Sequence, residues 1–153
     1  MIEPDDQIHA KDVFHALVKR KHAIPFFSYY VQAGFPSPAE NYIERVLSLD
    51  DLCIYHQEAT FFLRVGSDSM IGDRIDKGDW ILMDCFYCSP EVTHNRIVVV
   101  QLGEDFAVKR IKYVDENLLT LESSNPKYPP IYVHKGDKFM VCGLVTFAFQ
   151  KFI

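Results

Sequence analysis

The chain has 153 residues, 48% of them apolar and 14% aromatic, enough to bury a core in one packed domain. Its net charge of −5 gives no footing for wrapping phosphates, since nucleic-acid affinity rests on Lys and Arg neutralising the backbone, so direct DNA binding is not expected. Glu3, Asp5 and Asp6 stand where a secretion signal carries basic residues ahead of an apolar run, and no stretch of about eighteen apolar residues occurs, so a cytoplasmic chain without a membrane partner is expected.

In chain order, Ala10 to Lys21 reads as a short helix with Val13, Phe14, Leu17 and Val18 on one side. Ile24 to Val31, aromatic-rich and marked by Pro25, suits an extended segment. Ser37 as N-cap, Pro38 at the first helical position and Glu40 closing a capping box predict a helix from Pro38 to about Ser48 that buries Ile43, Val46 and Leu47. Near residue 60 the pattern changes to short strands: Thr60 to Val65, Trp80 to Met83, Arg96 to Leu102, Phe106 to Tyr113, Leu118 to Glu122, Ile131 to Val133 and Phe139 to Phe149. Polar breaks at Lys77-Gly78-Asp79, Gly103-Glu104-Asp105 and Asp115-Glu116-Asn117 have hairpin chemistry. The expected fold is mainly β and mostly antiparallel, behind an N-terminal arm with one or two short helices.

Two segments carry candidate chemistry. Gly66-Ser67-Asp68-Ser69 follows the first strand of the β region, and Phe106-Ala107-Val108-Lys109-Arg110-Ile111 sets a lysine among apolar neighbours. By a period of two, Ala107, Lys109, Ile111 and Tyr113 share one strand face, and Lys109 is its only charge. Burial of that face disfavours the ammonium and lowers its pKa from a reference of about 10.4, which makes a base for a loop serine. The plain readings are a half-exposed surface lysine and ordinary turn serines. His94 and His134 are alternative bases without a placed carboxylate. Cys85-x-x-Cys88 has the spacing of a metal or redox pair. Its further ligands would have to come from Cys53, His94 or Cys142, and it follows a strand rather than opening a helix, so no metal and no cofactor are expected.

These segments resemble, in order, the LexA/UmuD family of self-cleaving Ser/Lys peptidases, and its UmuD-type members more than its repressors. Val31-Gln32-Ala33-Gly34-Phe35 through Ala39 resembles the family's cleavage region. Ala59-Thr60-Phe61-Phe62 with Asp68-Ser69-Met70-Ile71 resembles its nucleophile region, and Phe106-Ala107-Val108-Lys109 its lysine strand. The resemblance runs from about residue 25 to about 149. It implies that Ser69 attacks the Ala33 carbonyl, that Lys109 moves the proton to the Gly34 amine, and that backbone N–H groups at Asp68 and Ser69 hold the oxyanion. It further implies that residues 1–33 form an arm removed by self-cleavage and that 34–153 form a dimerising β domain. A RecA filament on single-stranded DNA would promote the cut, and the product would join a UmuC-like Y-family DNA polymerase in mutagenic repair synthesis.

Only 33 residues precede the expected cut, too few for the three packed helices of a helix-turn-helix repressor domain. The chain departs from the family pattern in three places. Gly66 precedes Ser67 where the family has Ser then Gly, Asn95-Arg96 replaces a Gly-Asp turn, and the arm is longer. The first departure puts a side chain where unusual backbone angles are expected and bears on the oxyanion geometry. The remaining alternatives are a dimeric binding module that cleaves poorly or not at all, acting on a polymerase or a related cleavable partner, and a peptidase that cuts another subunit.

Overall fold

The computed structural model describes residues 13–15, 24–27 and 43–153. Among these residues ten strands form: β1 (Val13–His15), β2 (Ile24–Phe27), β3 (Ile43–Leu47), β4 (Thr60–Arg64), β5 (Trp80–Asp84), β6 (Ile97–Leu102), β7 (Asp105–Asp115), β8 (Leu118–Glu122), β9 (Ile131–His134) and β10 (Phe139–Phe149). A single short α-helix among the described residues, α1 (Leu49–Cys53), follows β3, and 3-10 turns lie at Gln57–Ala59 and Ile71–Asp73. The chain forms two compact units, one holding β1 and everything from His56 onward, the other holding β2, β3 and α1.

The larger unit is one eight-stranded sheet in the order β1-β4-β5-β10-β6-β7-β8-β9, and every neighbouring pair is antiparallel. Glycine sits at turns where the chain needs a positive φ, 94° at Gly78 in the turn leading into β5 and 65° at Gly103 in the hairpin between β6 and β7. β6 reads Ile-Val-Val-Val without alternation because it is covered on both faces. Val99 joins Leu63, Val65, Met70, Ile75, Ile81, Met83 and Val108 in one cluster. Val98 and Val100 join Ile111, Leu119, Leu121, Val133 and Val141 in another. β10 meets β6 and β5 through register shifts at Val141/Gly143 and Val145/Phe147, bulges that bend the long central strand.

The mostly antiparallel β architecture expected from the sequence is present, and all seven expected strands of the β region form. The arm differs. Val13–His15, expected within a helix, is a strand on the edge of β4, with Phe14 opposite Phe62. Ile43–Leu47, expected as the second half of another helix, pairs with Ile24–Phe27. Their β-branched and aromatic side chains suit a paired strand as well as an amphipathic helix, and the partner strand decides. The helix start signal lies further on, at Ser48, whose Oγ accepts the Asp51 N–H at 3.1 Å and caps α1. The expected cap at Ser37 to Glu40 and the Ala33-Gly34 bond lie outside the described residues.

Candidate active site

Where β4 ends, Val65 accepts the Gly78 N–H at 2.8 Å and donates to Asp79 O at 2.9 Å, pinning together the two ends of the excursion 66–77. Met70, 1% exposed, enters the core and anchors the loop beside Ser69. Ser69 is itself 2% exposed. The Ser67 hydroxyl donates to Ser69 Oγ at 3.2 Å and accepts the Ser69 N–H at 3.4 Å. Ser67 is not among the described non-glycine residues with positive φ, so a side chain at this position is unstrained. The other departure from the family turn has an equally simple basis: Asn95 has φ 59°, a region asparagine tolerates well in place of glycine.

Lys109 lies on β7 between Ala107 and Ile111, and all three are at most 1% exposed, as strand parity predicts. Arg110 faces Glu122 in the ladder, so β8 leaves the sheet alongside Lys109. Lys109 Nζ donates to Ser123 Oγ at 2.8 Å and lies 5.3 Å from the Tyr128 ring centroid. The same turn, 123–128, grips the serine loop. Asn125 donates its N–H to Ser69 O at 2.9 Å and its amide Nδ2 to Asp68 O at 3.1 Å. The Tyr128 hydroxyl donates to Asp68 Oδ1 at 2.7 Å, and the Asp73 N–H donates to Ser124 Oγ at 3.0 Å. Arg110, next to the lysine, completes the clamp by donating to Asp73 Oδ1 at 2.6 Å. The Tyr128 hydrogen bond, assisted by the charge of Lys127, holds the Asp68 carboxyl below the usual range against the opposing effect of partial burial.

A single turn therefore holds a buried serine loop and a buried lysine. The other candidates are engaged elsewhere. His94 Nδ1 accepts the Tyr113 N–H at 3.0 Å, a backbone-holding role. His134 lines a cavity with Tyr113 and Phe139 at the far hairpin ends. Cys53, Cys85, Cys88 and Cys142 are free thiols. Burial pushes Cys142 up to about 11 and also raises Cys85. Ser123, Asn125 and Tyr128 went unnoticed in the sequence. Ser123-Ser124-Asn125-Pro126 reads as a turn after β8, but only the β7/β8 register tells which residue meets Lys109.

A family described as Peptidase S24-like matches residues 25–146. Protein MucA of Salmonella typhimurium is 35% identical over 137 residues, 88% of this chain and 90% of MucA. Protein ImpA of Shigella flexneri is 32% identical over 127 residues, 83% of each. The LexA repressor of Anaeromyxobacter dehalogenans is 31% identical over 123 residues, 79% of this chain but 52% of the repressor.

Proposed function

Since the chain belongs to the Peptidase S24-like family, we propose that it is a UmuD-like self-cleaving serine peptidase of the DNA-damage response. In this reading neutral Lys109 takes the proton of Ser69 as Oγ bonds to the carbonyl carbon of Ala33. The carbonyl electron pair moves to oxygen, where the N–H groups of Asp68 and Ser69 receive it. Collapse breaks the bond to Gly34, and Lys109 gives its proton to the departing amine. Water then hydrolyses the ester on Ser69, leaving a carboxyl on Ala33 and a free serine hydroxyl.

The observation that carries this reading is a lysine 1% exposed and a serine 2% exposed, each held by the same turn. Burial at that depth opposes a charged amine, which favours the neutral form a base requires. Ala33 and Gly34 have almost no side chain and suit a narrow cleft. A substrate on the same chain comes at high effective concentration, so little further binding is needed.

The wider function follows from the UmuD-type likeness. A RecA filament on single-stranded DNA promotes the cut in the cytoplasm, and the product from Gly34 onward forms a homodimer that joins a UmuC-like Y-family DNA polymerase in translesion synthesis. The test is mass spectrometry of the purified chain at alkaline pH, and separately with RecA, single-stranded DNA and nucleotide. Fragments of 33 and 120 residues, absent from Ser69→Ala and Lys109→Ala, are expected. Raising the pH speeds the reaction by deprotonating Lys109. An intact wild-type chain under both conditions sinks the reading.

One contact favours a second reading, a dimeric binding module that cleaves poorly. Ser67 Oγ already occupies the Ser69 N–H that an oxyanion would need. Ser67→Gly separates the two: faster cleavage identifies a slow peptidase, and an inert variant supports the binding module.

A further inference from the structure

We propose that Ser123 is a positioning residue for Lys109, its hydroxyl taking one N–H and so restricting the directions in which the amine presents its lone pair. The inference rests on the Ser69/Lys109 reading and deepens it.

A neutral primary amine has two N–H groups and one lone pair, and rotation about Cε–Nζ offers the lone pair three directions. Burial of the methylene stem fixes where Nζ is, and the hydrogen bonds at Nζ decide how it is turned. A hydrogen-bond acceptor at a fixed place narrows the choice, because an N–H aimed at it keeps the lone pair out of that direction and leaves it two of the three. Ser123 Oγ, 2.8 Å from Nζ, is such an acceptor.

Its place is well defined on both sides. The preceding residue, Glu122, is still in the ladder opposite Arg110. The following residue, Ser124, accepts the Asp73 N–H at 3.0 Å and packs so tightly on Gly72 that a Cβ there would lie 2.7 Å from Ser124 O. Ser123 is thus tied to the strand that carries the lysine partner and to the loop that carries Ser69. A shift of either would reach the amine through this hydroxyl.

The same hydrogen bond also favours the charged amine, since an ammonium donates more strongly than a neutral amine. Removing the acceptor therefore has two opposed consequences. The amine loses its proton at lower pH, yet it presents its lone pair less accurately. A residue that merely supports the fold would not produce that split. The groups around it include the Tyr128 ring at 5.3 Å, Asp68 on the Tyr128 hydroxyl, Lys127 over the same ring, Arg110 and Glu122 on β7 and β8, and Val98 opposite on β6. All of them are retained in the Ser123 variants.

The experiment is the pH profile of self-cleavage for wild type, Ser123→Ala and Ser123→Thr. Ser123→Ala is expected to lose about tenfold of the alkaline plateau rate, while the midpoint of the profile moves to lower pH. Ser123→Thr is expected to restore both. A Ser123→Ala profile that coincides with wild type while Lys109→Ala is dead overturns the inference alone, and so does a plateau loss with an unmoved midpoint. Cleavage that survives in Lys109→Ala overturns the parent reading and this inference with it. A second readout needs no cleavage: the NMR titration of 13C-labelled lysine in Ser69→Ala against Ser69→Ala/Ser123→Ala. A lower Lys109 midpoint in the double variant supports the contact, and equal midpoints overturn it.

Discussion

At the scale of single residues, the site is a set of buried and half-buried polar groups joined by hydrogen bonds across two loops. Lys109 was legible because parity made it the only charge on a face that the sheet then buried. Tyr128 was not, because it reaches Asp68 from 60 positions away and no local pattern announces such a contact. Its hydroxyl leads the effects that hold the Asp68 carboxyl low, so its stabilising contribution has a definite pH window. A carboxyl with a depressed folded pKa stabilises fully above its unfolded value of about 3.9, and the contribution is lost as pH falls through the folded value. Tyr128→Phe, which keeps the ring over Lys109, is expected to unfold at lower urea than wild type at pH 7. The difference should shrink at pH 3 and below. An equal difference at both pH values would mean that the phenol acts through packing alone.

At the scale of elements, turn chemistry and apolar runs located the strands from Thr60 to Phe149, with ends shifted by one or two residues where a ladder extends beyond its apolar stretch, as at His134 and Asp115. The arm was misread where one pattern serves two structures. Ile43 and Val46 are three apart, as on a helix face, yet a β-branched pair beside Ile24–Phe27 is better placed in a ladder. No periodicity revealed the bend in β10. Gly143 lies at its first register shift, and a Cβ there would come within 2.7 Å of both Asp84 O and Met83 Cγ. Gly143→Ala is expected to destabilise by about 1–3 kcal/mol, since backbone has to move to admit the methyl group. Urea denaturation measures this, and a wild-type midpoint would show that β5 yields without cost.

At the scale of the whole molecule, the sheet takes its first strand from the far end of the sequence. β1 covers the outer edge of β4 through three residue pairs, with Phe14 5.6 Å from Trp80 and His15 4.9 Å from Phe61 between ring centroids. A three-residue strand has little affinity of its own and stays in place because the chain keeps it nearby. The proposed cut at Ala33-Gly34 would turn that tethered contact into an encounter between two molecules, and dilution would then remove the fragment. Amides of β4 that face β1 are expected to exchange faster after cleavage, while those bonded to β5 keep their protection. Unchanged exchange on both sides would show the fragment still docked. Departure would make the cut a one-way event in the cell and bare the β4 edge, a template for an extended segment at a place that β1 covers in the uncut protein.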